Sequence, residues 1–134
     1  MIQQIDHIAI AVSDLDEAAA FFAGQLGLEV GGIETVEEQK TKVAFIQVGQ
    51  VRIELVQPTE PDSPVGKFIA KRGEGIHHIA LRTDGIEQEL SGLADKGVRL
   101  IDKEPKVGAH DARIAFVHPK SSHGVLLELC QPSK

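Results

Sequence analysis

A single cysteine, Cys130, stands in the 134 residues. No disulfide can therefore form within the chain, which agrees with a reducing environment. Aromatic residues make up only 4% of the sequence, and no basic run is interleaved with them. Together with a formal net charge of −6, this argues against a nucleic-acid partner. No apolar run reaches the roughly 20 residues of a membrane-spanning helix. The opening MIQQIDHIAI lacks the basic flank and small-residue cleavage site of a secretory signal, so the expected compartment is the cytoplasm. What is present, 42% hydrophobic and 25% charged residues, fits one globular domain of ordinary size. An anionic ligand would have to be met by local lysines.

The chain does contain an internal echo. DHIAIAVSDL at 6–15 is answered by HHIALRTDGI at 77–86, and RIELVQP at 52–58 by LLELCQP at 126–132. His7 and Glu54 lie 47 positions apart, His78 and Glu128 lie 50 apart, so the two likenesses keep step. A repeat of this kind is normally one structural unit that completes a core by stacking on its twin. The expected division is a first unit over 1–57, a linker over 58–74 and a second unit over 75–134.

Hydrophobic periodicity supplies the elements of each unit. IDHIAIAV has the length of a strand. Ser13 and Asp14 offer helix caps, Leu15, Ala18, Ala19, Phe22 and Leu26 recur at helical spacing, and Gly27 closes the run. An extended stretch from Leu28, the strand KVAFIQV, a tight turn at Gly49 and Gln50, and the strand VRIELV follow as a meander. The second half repeats the order with GIHHIALR, a helix from Ile86 stopped by Gly97, then VRLI, ARIAFVH and GVLLELC. The expected fold is α+β, two βαβββ units whose sheets curl around a central site. The linker carries three of the six prolines and a short helical patch.

Side chains alternate across a strand. His7 thus shares a face with Ala9 and Ala11, opposite Ile8, Ile10 and Val12, and His78 shares one with Ala80, opposite Ile79 and Leu81. Glu54 and Glu128 each stand between bulky apolar neighbours that face the other way. Each half therefore sets one imidazole and one carboxylate on the face turned from its helix. Singly, a strand histidine is more often a hydrogen-bonded core residue and such a glutamate more often solvated. Four such groups at repeat-equivalent positions would be costly to bury without compensation. A divalent metal supplies that compensation, and two nitrogens with two carboxylate oxygens suit cobalt, nickel, manganese, iron or zinc.

These paired units with His7, Glu54, His78 and Glu128 resemble the vicinal oxygen chelate superfamily, which includes glyoxalase I, extradiol dioxygenases, fosfomycin-resistance proteins and methylmalonyl-CoA epimerases. The stretches EPKVGAHDARIAFVHPKSSHGVLLELCQ at 104–131 and DSPVGKFIAKRGEGIHHIAL at 62–81 are similar to the methylmalonyl-CoA epimerase family nearly end to end. That resemblance implies a divalent ion, commonly cobalt, on His7, His78 and Glu128, with Glu54 at a position held by Glu or Gln. It also implies interconversion of (R)- and (S)-methylmalonyl-CoA through a metal-stabilised enolate, and a homodimer.

Epimerisation at an α-carbon needs a Lewis acid for the developing charge and groups that remove and return the proton. The resemblance points to Glu128 as one base. Some family members carry a second glutamate on the strand before Glu54, but here that strand reads KTKVAFIQV, leaving Glu54 or His110 for the partner role. Lys120 is a contact for a substrate carboxylate or phosphate, with His110 also substrate-binding. Lys67, Lys71 and Arg72 either meet coenzyme A phosphates or form a solvated basic face. His77 reads as packing, His118 and His123 as shaping a turn, Cys130 as filler beside the site. A glyoxalase I-like lactoylglutathione lyase and a non-enzymatic small-molecule-binding module are the alternatives, and the histidines and glutamates in both repeats weigh against the latter.

Overall fold

The computed structural model describes residues 1–133, which form two compact units. One is His7–His77; the other joins Met1–Asp6 to the chain from His78 onward. Each half of the chain, rather than each compact unit, is α+β and follows the predicted βαβββ order. In the first, strand β1 (Ile2–Ala11) leads into helix α1 (Leu15–Ala19) and then strands β2 (Val30–Val36), β3 (Thr41–Val48) and β4 (Val51–Pro58), before helix α2 (Pro64–Arg72). In the second, β5 (Gly75–Thr83) leads into α3 (Ile86–Asp95), then β6 (Lys106–Val107), β7 (Arg113–Val117) and β8 (Leu127–Gln131). Strands run in the orders β2-β3-β4-β1 and β5-β8-β7-β6. The meander strands pair antiparallel, while β1 pairs parallel with β4 and β5 with β8. That parallel closure requires the intervening crossover that the helix and meander supply.

The local signals act as their chemistry requires. Asp14 caps α1 by accepting the Glu17 amide hydrogen at 3.1 Å. The helix widens into π-type turns over Ala20–Gln25 and stops at Gly27, whose φ of +77° is open to glycine; Leu28 N then donates back to Phe22 O at 3.0 Å. Gly97, at φ +81°, ends α3 in the same way, with Val98 N donating to Leu93 O. In the linker, Ser63 caps α2 by accepting from Gly66 N at 3.0 Å, with Pro64 in the first turn.

The apolar face of each sheet meets its own helix. Val12, Leu15, Ala44, Ile46 and Leu55 form one core, flanked by Ile10, Ala18 and Phe22. Ile86, Leu90, Ala115 and Leu129 form its counterpart. No helix among the described residues is long and apolar enough to cross a membrane.

One expected strand is corrected. VRLI is not a strand: only Leu100 bridges to Val117, and the edge strand is β6 at Lys106–Val107. Asp102 is the cause. Its carboxylate accepts the Phe116 amide hydrogen at 2.9 Å, while Ile101 N and Asp102 N both donate to Phe116 O. A side chain thus replaces the backbone acceptor a continuing strand would present, and the chain turns away.

Candidate metal centre

The two strand glutamates are not solvated. Glu54 and Glu128 are 4% and 3% exposed, His7 and His78 4% and 8%. Burial at this level requires partners. Within the first unit His7 Nδ1 lies 3.3 Å from Glu54 Oε2. Within the second, His78 Nε2 lies 3.2 Å from Glu128 Oε1. The register that creates each pair is set by the parallel closure of its unit: Ala9 is level with Glu54 and Ala80 with Glu128, so each histidine, two residues before its alanine, shares the glutamate's face.

Two phenylalanines complete this face. Phe45 is the cross-strand partner of Glu54, and Phe116 of Glu128. The Phe116 ring meets His78 edge-on at 5.3 Å. Each ring also carries a cation: Arg52 lies 5.8 Å from the Phe45 centroid, Lys106 5.1 Å from that of Phe116. The two cations are spent differently. Arg52 donates to Glu54 Oε2 from Nε at 3.2 Å and from a terminal nitrogen at 2.8 Å; Lys106 is paired with Asp102 at 3.2 Å.

Asp6, 1% exposed, is held by Arg82, whose Nε and terminal nitrogen donate to Oδ1 at 3.0 and 2.8 Å. Cys130, 2% exposed, directs its thiol to Asp6 Oδ2 at 3.9 Å and packs with Ala80, Ala112 and Ile114, as expected for a filler on the Glu128 side.

Among the described residues, His7 and Glu54 in one unit, and Asp6, His78 and Glu128 in the other, are each of a type that can ligate a metal ion. Buried imidazoles and carboxylates without a thiolate among them fit a borderline divalent cation, and a cation would offset the cost of burying the carboxylates. The donor set therefore fits the expected ion.

The remaining expected site residues are on the surface. His110 is exposed, at a φ of +56° in the short turn Ala109–Asp111, and its carbonyl accepts from Ser133. Lys120 is exposed in the turn before β8. His118 shapes that turn by accepting the Lys120 amide hydrogen on Nδ1 at 3.0 Å. Burial and the nearby cations Arg99 and Lys120 hold its imidazole below the ordinary histidine range. His77 packs edge-on against Phe68 at 5.0 Å, and Lys67, Lys71 and Arg72 lie on the exposed side of α2. Sequence reasoning passed over Arg52, although its place two residues before Glu54 on one strand put both on the same face.

Residues 6–116 match the model of the Glyoxalase/Bleomycin resistance protein/Dioxygenase superfamily. The chain belongs to this superfamily and, within it, to the methylmalonyl-CoA epimerases. It is 39% identical over 133 residues to the ethylmalonyl-CoA/methylmalonyl-CoA epimerase of Cereibacter sphaeroides, covering 98% of this chain and 99% of that one. It is 46% identical over 129 residues to the Bacillus subtilis protein YqjC, covering 96% and 92%. A solved methylmalonyl-CoA epimerase in complex with methylmalonyl-CoA and NH4+ superposes with a TM-score of 0.95 at 41% identity, over 99% of this chain and 96% of that one. The chain is an epimerase by family.

Proposed function

We propose that the protein interconverts (R)- and (S)-methylmalonyl-CoA by proton transfer at C2, using a divalent metal ion, with cobalt the leading candidate, on His7, His78, Glu128 and Glu54. The observation that carries this reading is the recurrence of a buried His–Glu pair at matching positions in both halves of a chain whose relatives are epimerases. The ion, when bound, supplies Lewis acidity for the negative charge that develops as the α-proton leaves, worth several kcal/mol.

The chain's own residues do the rest. Glu128 takes the C2 proton, a contribution of about 10²–10⁴-fold; its burial among Ala80, Phe116 and Cys130 keeps competing water away. Inversion requires a second group to return a proton to the opposite face. Glu54 and His110 are the two candidates on this chain. Lys120 and His110, both exposed, are the proposed contacts for the substrate's anionic groups. The family likeness supports a homodimer, and the single buried thiol of Cys130 agrees with the cytoplasm.

The test is deuterium exchange at C2 of methylmalonyl-CoA, followed by NMR in deuterium oxide, for protein stripped by chelator and reloaded with cobalt. Exchange should need the metal and fall at least about 10²-fold in Glu128→Gln. No exchange with any metal, alongside turnover of methylglyoxal with glutathione, would move the assignment to the lyase.

A further inference from the structure

The two His–Glu pairs are alike in burial and spacing, and the residue two positions before each glutamate differs, Arg52 in one half and Leu126 in the other. Glu54 Oε2 accepts two N–H groups from Arg52 and lies 3.3 Å from His7 Nδ1. No hydrogen bond falls on Glu54 Oε1 among the described residues. The guanidinium is only 21% exposed, remains charged at any accessible pH, and presents its donors in a fixed fork. In the other half the matching position is Leu126. The cation nearest that glutamate's cross-strand phenylalanine, Lys106, is paired with Asp102.

We propose that Arg52 is a positioning residue of the metal centre, holding Glu54 by Oε2 so that Oε1 is the oxygen presented to the ion, and drawing off part of that carboxylate's charge. This inference rests on the metal reading above. Without the guanidinium, a donor set in which Glu54 kept its full charge would hold a divalent ion more tightly, because a positive charge within hydrogen-bond reach of a ligand opposes a second cation on it. Glu54 is thereby fixed and partly neutralised.

The probe is Co2+ alone, its affinity measured by competition with a chromophoric chelator, so that no turnover is needed. Arg52→Leu should bind Co2+ at least about tenfold more tightly than the parent, and Arg52→Lys, which keeps the charge, within about threefold of it. In a Glu54→Gln background the Arg52→Leu change should have much less effect, since Arg52 acts through that carboxylate. Circular dichroism identifies any variant that fails to fold, in which case Arg52→Gln replaces Arg52→Leu.

Unchanged or weaker binding in folded Arg52→Leu would overturn the role of Arg52 while leaving the metal reading intact. A full tenfold gain that persists in Glu54→Gln would show a long-range charge effect and overturn the positioning role. A parent that binds Co2+ no better than His7→Ala would remove the metal reading, and this inference with it.

Discussion

The side-chain oxygen of Gln57 lies 2.8 Å from the backbone nitrogen of Leu15 and accepts its hydrogen. Gln131 does the same for Ile86 at 2.9 Å. Each glutamine stands within the last two residues of the strand that bears the site glutamate and satisfies the first amide of the helix behind it, a donor with no partner inside the helix. The glutamine of the ELVQP and ELCQP echo is therefore a structural clasp, which ties the strand bearing the site glutamate to the helix behind it.

Removing either clasp should be costly but tolerable. Gln57→Ala and Gln131→Ala are each expected to lower stability by about 1 kcal/mol, or roughly 4 °C in thermal midpoint for a chain of this size. The double variant should show the sum, because the clasps share no partner. Thermal unfolding followed by circular dichroism measures all three. A double variant no worse than either single one would mean that the clasps are not independent.

Two helical glycines should respond with opposite signs. At Gly66 a Cβ would sit 2.6 Å from Pro61 O and 2.9 Å from Glu60 O, both backbone atoms that cannot swing aside. Gly66→Ala should therefore destabilise by about 1–3 kcal/mol despite alanine's better helix propensity. At Gly92 in α3 nothing lies within 4 Å of the added methyl, so Gly92→Ala should stabilise by about 0.5–1 kcal/mol. Urea unfolding midpoints decide both.

Metal binding should be visible as stability. If the ion binds only the folded chain, cobalt at a hundred times its dissociation constant adds about 2.7 kcal/mol. The parent's thermal midpoint should then rise on loading and fall back after chelation. His78→Ala, which breaks the second unit's pair, should lose most of that rise. An equal rise in parent and variant would place the bound cobalt elsewhere.

His118 is expected to titrate below 6.5, the ordinary value for histidine, because burial, Arg99 and Lys120 all disfavour its protonated form. The amide hydrogen it accepts from Lys120 also needs an unprotonated Nδ1. A folded-state value below the unfolded one means that the unfolded chain takes up the proton first. This residue's contribution is thus present above about pH 6.5 and declines as pH falls from there toward the folded-state value. An NMR titration of its ring protons reads the midpoint directly, and a midpoint at or above 6.5 would contradict the assignment.

Much of this was legible along the chain. The repeat, the alternation that puts His7 with Ala9 and His78 with Ala80 on one face, and the stops at Gly27 and Gly97 follow from local rules of period two, period 3.6 and positive φ. These need no knowledge of distant residues. The chain by itself therefore determined the two βαβββ units and the four groups most worth burying. Only the tertiary structure decided the rest. Whether a strand glutamate is solvated or buried depends on what covers it, and only the folded chain shows Glu54 and Glu128 buried. The edge strand at Lys106–Val107 in place of VRLI depended on an Asp102 carboxylate reaching the Phe116 amide across fourteen residues. The hold of Arg52 on Glu54 likewise required side chains to be placed in space, since a hydrogen bond is set by direction and distance and a sequence fixes neither.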